Sequence, residues 1–223
     1  MVDRVAGLDY RDYIGEATVP YSFLKAPYFK PVGYPEGAYR VGPLARLNAA
    51  TRCGTEEADV ELAEFRQRFG RAPKSTFLYH YARSIELIYA LERMEALLTD
   101  PLILDRHVRA QAGVNDLEGV GMIEAPRGVL IHHYKVNEDG VIVWANLIVA
   151  TGHNNIAISR NVDECARHYI TGPELTDGML NRVQAVLRAY DPCLSCSTHA
   201  NGQYALDVQL LAADGSLLDS VST

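Results

Sequence analysis

The sequence is poor in cysteine, in long apolar runs and in positive charge, and each shortage excludes a class of protein. Four cysteines among 223 residues are too few for the disulfide framework of a small secreted protein. No stretch approaches the ~18 consecutive apolar residues of a membrane-spanning helix, and the N-terminus lacks the pattern of a secretory signal. A net charge of −7 gives no general attraction to nucleic acid or to an anionic membrane. We therefore expect a cytoplasmic protein without a membrane span and without a nucleic-acid partner.

What the sequence does have is apolar residues, which make up 48% of it and suffice for one domain, or for one and a half. Their spacing predicts a helix from Thr55 to Phe69, capped by Thr55 and ended by Gly70. A longer helix is predicted from about Thr76 to Leu98, and a helix of this length with one apolar stripe belongs in a bundle. We expect the members of that stripe to be packed in the core: Leu78, Tyr81, Ile85, Ile88, Leu91, Met94 and Leu98.

Shorter patterns predict two hairpins and two irregular stretches. Residues 129–136 and 141–150 are β runs on either side of a turn, and a second hairpin is centred on residues 213–215. Residues 19–48 are dense in proline, glycine and tyrosine, so we expect extended chain and turns there. Residues 110–128 are rich in glycine, and we expect them to be irregular as well.

Two more helices are predicted in the last third of the chain. The first covers residues 161–169, and the second is capped by Thr171 with Pro173 in its first turn. Because proline cannot continue a helix, the second helix must stop or kink at Pro192. The residues that follow are therefore presented at a helix end.

The chemically most informative feature lies at that helix end: Asp191-Pro-Cys-Leu-Ser-Cys-Ser-Thr-His199. Cys193 and Cys196 can point the same way across one turn and bind one soft metal ion or bridge two, and His199 follows as another candidate ligand. A thioredoxin-like pair opens a helix rather than following one, haem attachment needs histidine directly after the second cysteine, and structural zinc needs a fourth ligand. Metal binding is therefore favoured, while redox-active thiols and structural thiols stay open.

This segment resembles the C-terminal signature of the large subunits of nickel–iron hydrogenases. The resemblance implies a mainly helical α+β fold with small β-hairpins, in which residues 1–199 are the C-terminal part of the large-subunit domain. Residues 25–35 are most similar to the cytoplasmic, NAD-reducing, bidirectional type. Three other blocks resemble the same family in the same order: Tyr39-Arg-Val-Gly-Pro-Leu-Ala-Arg-Leu-Asn48, Glu124-Ala-Pro-Arg-Gly128 and Ala145-Asn-Leu-Ile-Val-Ala-Thr151.

The resemblance also implies metal ligands. Cys193 and Cys196 would supply half of the thiolates on nickel in a nickel–iron centre that carries carbon monoxide and cyanide ligands. Cys196 would in addition bridge to iron. His199 and the backbone carbonyl of Leu147 would bind a magnesium ion.

Four residues would surround the metal pair by the same resemblance. Arg127 would place its guanidinium over the metals, where fixed cationic donors suit cyanide, and Asp191 would orient it. Pro126 and Thr151 would belong to the hydrogen-bonding surroundings of the cyanide ligands. Without the resemblance, Arg127 would be read as an ion-paired surface residue, Thr151 as a β-former at a strand end, and Asp191 as the end of a helix.

A full large subunit of this family carries a second cysteine pair near its N-terminus, which this sequence lacks, since Cys53 has no partner of that kind. We therefore expect a fragment of a longer gene, or a subunit completed by another chain, that cannot hold the metal centre alone. The resemblance also places a processing site between His199 and Ala200. A maturation endopeptidase would remove residues 200–223 there once nickel is inserted.

The implied activity is reversible oxidation of H2 coupled to NAD(P). Electrons would pass through an iron–sulfur small subunit to diaphorase subunits that hold flavin and iron–sulfur clusters, and nickel-insertion chaperones would load the site. Three alternatives stay open: a related hydrogenase that uses deazaflavin or another acceptor, a metal-free scaffold subunit like that of complex I, and a zinc-binding interaction module.

Overall fold

The computed structural model describes residues 7–109, 116–198 and 207–222, and within them the fold is α+β with more helix than strand, as the sequence predicts. In chain order the helices are α1 (Tyr10–Tyr13), α2 (Pro43–Ala49), α3 (Glu56–Phe69), α4 (Leu78–Leu98), α5 (Ala150–Tyr169), α6 (Asp177–Tyr190) and α7 (Leu194–Thr198). The strands are β1 (Ile14–Ala17), β2 (Ala26–Phe29), β3 (Glu118–Ala125), β4 (Gly128–Val136), β5 (Ile142–Ile148), β6 (Asp207–Leu211) and β7 (Leu217–Ser222).

The chain forms two compact units, each built from two stretches of sequence. The first unit comprises Met1–Arg11 and Val41–Ile148, and the second comprises Asp12–Arg40 and Val149–Thr223. The second unit is discontinuous because β2, which pairs with β1, also packs against α5. Within the described ranges, every helix falls short of the length or the apolar character that crossing a bilayer would require.

In the first unit, α2 and α3 pack against α4, and the core contacts of α4 lie in its first half. The helix predicted from Thr55 to Phe69 is confirmed as α3. The expected burial of the whole α4 stripe was wrong, because the buried residues of α4 all precede Glu86. Three stripe members expected in the core are exposed: Leu91, Met94 and Leu98.

The first unit also contains a three-stranded antiparallel sheet in the order β3-β4-β5. The β4–β5 hairpin confirms the predicted pair of β runs, but β3 lies in residues 110–128, which were expected to be irregular. Gly119 and Gly121 lower the intrinsic strand preference of β3, whereas pairing with β4 along its whole length supplies the missing stabilisation. Residues 19–48 likewise contain a helix that the prediction missed, α2, which begins at Pro43.

In the second unit, α5 and α6 pack against each other. The helix predicted to begin near residue 161 begins at Ala150, because the preceding β run ends two residues earlier. Thr176 rather than Thr171 caps α6, and its side chain accepts a hydrogen bond from a backbone N–H of the first turn. Strands β6 and β7 form the hairpin predicted around residues 213–215.

Candidate metal centre

The residues predicted to form the site fall in both units. The first unit holds Pro126, Arg127 and Leu147, and the second holds Thr151, Asp191, Cys193 and Cys196. His199 and Ala200, the expected magnesium ligand and processing site, lie outside the described residues. We call residues 124–128 the arginine turn and residues 191–197 the cysteine segment.

The arginine turn is the tight connection between β3 and β4, in which Pro126 and Arg127 lie between the paired residues Ala125 and Gly128. Gly128 has a φ of 138°, a conformation that residues with a Cβ rarely adopt. A Cβ at this position would also collide with the side chain of Val41. Glycine is therefore required here both by the backbone conformation and by the space available.

The segment that lies against the arginine turn is itself fixed. Gly42 has a φ of 102°, and a Cβ built on it would stand 2.8 Å from the carbonyl oxygen of Arg127. The hydroxyl of Tyr79, a residue of α4 that is 1% exposed, donates to the carbonyl of Val41 at 3.0 Å. The backbone of Arg127 thus packs against chain that α4 holds in place, while the Arg127 side chain is exposed.

The cysteine segment begins where α6 ends. Asp191 takes the left-handed conformation, with φ 52° and ψ 56°, and its N–H donates to the carbonyl of Leu187 at 3.1 Å. Pro192 follows and cannot extend the helix. The backbone N–H of Cys193 then donates to Thr151 Oγ1 at 2.9 Å. Thr151 is buried in the first turn of α5, and not at a strand end as the residue pattern alone suggested.

The structure brings the two cysteines of this segment together. Cys193 and Cys196 are joined as a disulfide, with their Cα atoms 5.4 Å apart. Metal binding needs the reduced pair, because the thiolate is the ligand, so the expected thiolate role stays a prediction. Two convergent sulfur donors suit a soft metal such as nickel and fit part of a thiolate set. Among the described residues, no group of three or more His, Cys, Asp or Glu side chains could hold a metal ion.

Two other roles that the resemblance implies belong to Asp191 and Leu147. Asp191, expected to orient Arg127, belongs to the second unit, whereas Arg127 belongs to the first. Leu147, expected to bind magnesium through its carbonyl, lies on β5 opposite His132 of β4. Both roles therefore stay predictions.

His133 and His153 are buried, and each makes a side-chain hydrogen bond. His133 Nε2 lies 2.8 Å from a carboxylate oxygen of Glu118, and its Nδ1 lies 3.2 Å from the hydroxyl of Tyr10. His153 Nδ1 lies 2.5 Å from the hydroxyl of Tyr39. Burial raises the pKa of that Tyr39 hydroxyl, so it acts in this pair as a neutral phenol.

Cys53 and Cys165 are free thiols. Burial raises the pKa of both thiols above the usual value. A raised pKa disfavours the thiolate, which is the form that binds metals and attacks electrophiles. Both side chains are therefore protonated thiols at neutral pH.

Residues 39–48 and 124–128 resemble the family as separate blocks of sequence. No sequence pattern gives a role to Gly42 or Gly128 within these blocks, or to Tyr79 outside them. The structure shows that the two blocks touch through these glycines. A signal for them was present, since glycine beside or near proline marks unusual backbone conformation. Nothing local identifies Tyr79, because the carbonyl that it contacts is 38 residues away.

Comparisons with known proteins agree with the family resemblance of these sequence blocks. A family model described as nickel-dependent hydrogenase matches residues 3–199. The chain is 43% identical over 219 residues to the NAD-reducing hydrogenase HoxS subunit beta of Cupriavidus necator, which covers 95% of this chain and 44% of that protein. It is 44% identical over 218 residues to a subunit of the F420-non-reducing hydrogenase of Methanothermobacter thermautotrophicus, again covering 95% of this chain and 44% of that protein.

Solved structures give the same result for the fold. An NAD+-reducing [NiFe]-hydrogenase in its H2-reduced state superimposes with a TM-score of 0.84 and 44% identity, over 89% of this chain and 44% of that one. A [NiFeSe] hydrogenase variant from Desulfovibrio vulgaris Hildenborough superimposes with a TM-score of 0.56 and 27% identity, over 80% of this chain and 38% of that one. The chain thus spans less than half the length of each protein that it matches here.

Proposed function

Because this chain belongs to the nickel-dependent hydrogenase family, we propose that it forms the C-terminal, thiolate-bearing part of a hydrogenase large subunit that oxidises H2 reversibly. The observation that carries the proposal is the convergence of Cys193 and Cys196 within the family's signature segment. In reduced form, these two sulfurs would hold the metal pair as thiolates. When bound, the nickel–iron centre with its carbon monoxide and cyanide ligands would supply the Lewis acidity that makes H2 acidic.

The residues of the second unit have a specific part in this function. Thr151 Oγ1 accepts a hydrogen bond from the N–H of Cys193, which fixes the backbone of the first ligand. A hydroxyl has one proton of its own to donate, and accepting from Cys193 leaves that proton free for another acceptor. A cyanide ligand is such an acceptor, which supports the role that the resemblance gives to Thr151.

The arginine turn would supply positive charge to the same centre. The Arg127 guanidinium is always protonated and offers several fixed donors. Its backbone is held against Gly42, so its charge is positioned before substrate arrives rather than during reaction. Pro126 has no N–H and therefore offers no donor, so its contribution would be to shape the turn.

The magnesium site and the processing step belong to the proposal as well. His199 and the carbonyl of Leu147 would bind magnesium, and cleavage after His199 would release residues 200–223. In the uncut chain, the β6–β7 hairpin is attached to the second unit, because the N–H of Leu175 donates to a carboxylate oxygen of Asp219 at 2.7 Å. Removal of the extension would therefore have to break this contact.

The electron acceptor is proposed as NAD(P), reached in the cytoplasm through flavin-containing diaphorase subunits and an iron–sulfur small subunit. The similarity to NAD-reducing hydrogenases supports this acceptor. A similarly close F420-non-reducing relative supports an alternative in which other partner subunits pass electrons to a different acceptor. Nickel-insertion chaperones and a maturation endopeptidase would prepare the chain in either case.

Metal analysis and H2 activity of the complete hydrogenase assembled around this chain in its native host test the proposal. Cys193→Ser should remove bound nickel and lower H2 oxidation by about a hundredfold or more, since a ligand of the reacting metal is lost. Cys165→Ser, which replaces a free thiol on α5, serves as the matched control and should keep both the bound nickel and the H2 oxidation rate. Zinc as the sole metal would instead support an interaction module, and absence of any metal would support a scaffold subunit.

A further inference from the structure

Arg46 is a charged residue next to the arginine turn, and its guanidinium is fully hydrogen-bonded. It lies on α2 with its side chain 22% exposed, and its guanidinium meets five acceptors. A guanidinium has five N–H protons, so the whole donor set is matched. No sequence pattern gives this residue a role of its own.

Three of these acceptors belong to the arginine turn. Nη1 of Arg46 donates to a carboxylate oxygen of Glu124 and to the carbonyl of Ala125, both at 2.8 Å. Nη2 donates to the carbonyl of Pro126, also at 2.8 Å. The contacts therefore cover the three consecutive residues that lead directly to Arg127.

The other two acceptors fix the guanidinium itself. Glu86 of α4 accepts from Nε and from Nη2 through its two carboxylate oxygens, both at 2.6 Å. This bidentate geometry sets the plane of the guanidinium and not only its position. Burial lowers the pKa of Arg46, but the hydrogen bonds that it donates to Glu86 and Glu124 outweigh this effect and raise the pKa above its usual value, so the charge is permanent.

The start of α2 makes a second contact with the arginine turn. Gly42 immediately precedes α2 and lies against the carbonyl of Arg127, and the N–H of Arg46 donates to the carbonyl of Gly42 at 2.9 Å. The start of α2 thus touches the backbone of Arg127 while its side chain at Arg46 holds the residues before it. All of these contacts lie within the first unit.

We propose that Arg46 is a positioning residue for Arg127: it clamps residues 124–126 to α4, through the side chain of Glu124 and the carbonyls of Ala125 and Pro126, and so sets where the Arg127 guanidinium projects. This inference rests on the proposed function insofar as Arg127 acts at the metal centre. The clamp itself depends only on contacts within the first unit.

Arg46→Lys is the informative substitution. Lysine keeps the positive charge but has a single ammonium that cannot reproduce a planar fork with five donors. Arg66→Lys is the matched control, because Arg66 donates to the carbonyls of Leu47, Ala50 and Thr51 in the same unit and makes no contact with the turn that the structure records. Both variants lose guanidinium–carbonyl hydrogen bonds, but only the first loses them at the arginine turn.

Hydrogen–deuterium exchange of the full chain gives the first readout. In Arg46→Lys, peptides that cover residues 122–130 should exchange about tenfold faster, because the turn opens more often. The same peptides should exchange at the wild-type rate in Arg66→Lys. Unchanged exchange in Arg46→Lys, or an equal rise in both variants, would overturn the proposal. Glu124→Gln, a milder change that removes one charged acceptor, should raise exchange in the same peptides by a smaller factor.

Steady-state kinetics of the complete hydrogenase give the second readout. Arg46→Lys should lower kcat by about ten- to a hundredfold with little change in KM for H2, as expected for a residue that orients a catalytic group. In an Arg127→Lys background it should lower kcat no further, since its effect passes through Arg127. Additive losses would show that Arg46 acts on stability in general and would overturn the proposal. If the wild-type complex shows no H2 activity, the proposed function fails, while the exchange experiment still decides the clamp.

Discussion

The arginine turn and the cysteine segment are held in different ways. The arginine turn is fixed on several sides by its own unit, through Gly42, Gly128 and the guanidinium of Arg46. The cysteine segment is joined to its neighbour α5 by the hydrogen bond from the N–H of Cys193 to Thr151 and by the packing of α7 on that helix. Its second cysteine, Cys196, is exposed.

The two segments therefore differ in how firmly the fold fixes their positions. The position of the arginine turn is tied to the core of its unit, because displacing the turn would break contacts to α2 and α4. The position of the cysteine segment involves a short helix, a left-handed residue at Asp191 and the hydroxyl of Thr151. Substitutions in the arginine turn should therefore lower the stability of the unit, whereas substitutions in the cysteine segment should have mainly local effects.

Gly128→Ala should give the largest loss of stability. The alanine Cβ would collide with Val41, and the φ of 138° would be strained for any residue with a side chain. Overpacking and backbone strain together should lower the free energy of unfolding by about 3 kcal/mol, measured by urea denaturation.

Gly140→Ala is the control that separates these two causes. Gly140 has a φ of 76° in the β4–β5 turn, but nothing lies within 4 Å of a Cβ built there. It should cost about 1 kcal/mol, from strain alone. An equal loss of unfolding free energy in the two variants would show that the contact with Val41 does not hold the arginine turn. The contrast between the arginine turn and the cysteine segment would then disappear.

Local sequence patterns predicted those parts of the fold whose stabilisation is local. Helix α3 has its capping residue, its acidic first turn and its terminal glycine within one stretch of sequence. The β4–β5 hairpin is similar, because Asn137 and Gly140 close the turn by a hydrogen bond of 3.0 Å. Strand β3 could not be predicted in this way, because its stability comes from pairing with β4 rather than from its glycine-rich sequence.

The same distinction applies to the candidate centre. The cysteine pair could be identified because its two thiols are three residues apart and lie within one turn of chain. The resemblance to a known family added Arg127 and Thr151. The support of Arg127 could not be predicted, because Arg46 contacts residues 40 and 78 positions away, and no periodicity connects such positions.

Thr151→Val should have an intermediate effect, confined to the cysteine segment. Valine keeps the shape of threonine but cannot accept the hydrogen bond from Cys193, so a partly buried N–H loses its partner. The free energy of unfolding should fall by about 1 kcal/mol. Hydrogen exchange should rise in peptides that cover residues 190–198 and stay unchanged in those that cover residues 122–130.

Thr151→Ser is the matched control for that experiment. Serine retains the hydroxyl, so protection of the Cys193 amide should return to within about threefold of wild type. Loss of protection in the serine variant as well would assign the effect to packing of the threonine methyl group. In that case the cysteine segment would be held in the same manner as the arginine turn, by the surrounding core.

Substitutions of Asp191 should change stability no more than Thr151→Val does, and they test directly what the end of α6 contributes. Its left-handed conformation is easier for glycine and asparagine than for alanine, so Asp191→Ala should lower the free energy of unfolding by about 1 kcal/mol, whereas Asp191→Gly should leave it close to wild type. Urea denaturation of the two variants measures this order directly. If the Asp191 carboxylate also orients Arg127, as the family resemblance implies, Asp191→Gly should keep wild-type stability and nickel content yet lower kcat of the complete hydrogenase. Wild-type kcat in that variant would restrict Asp191 to directing the chain from α6 toward Cys193.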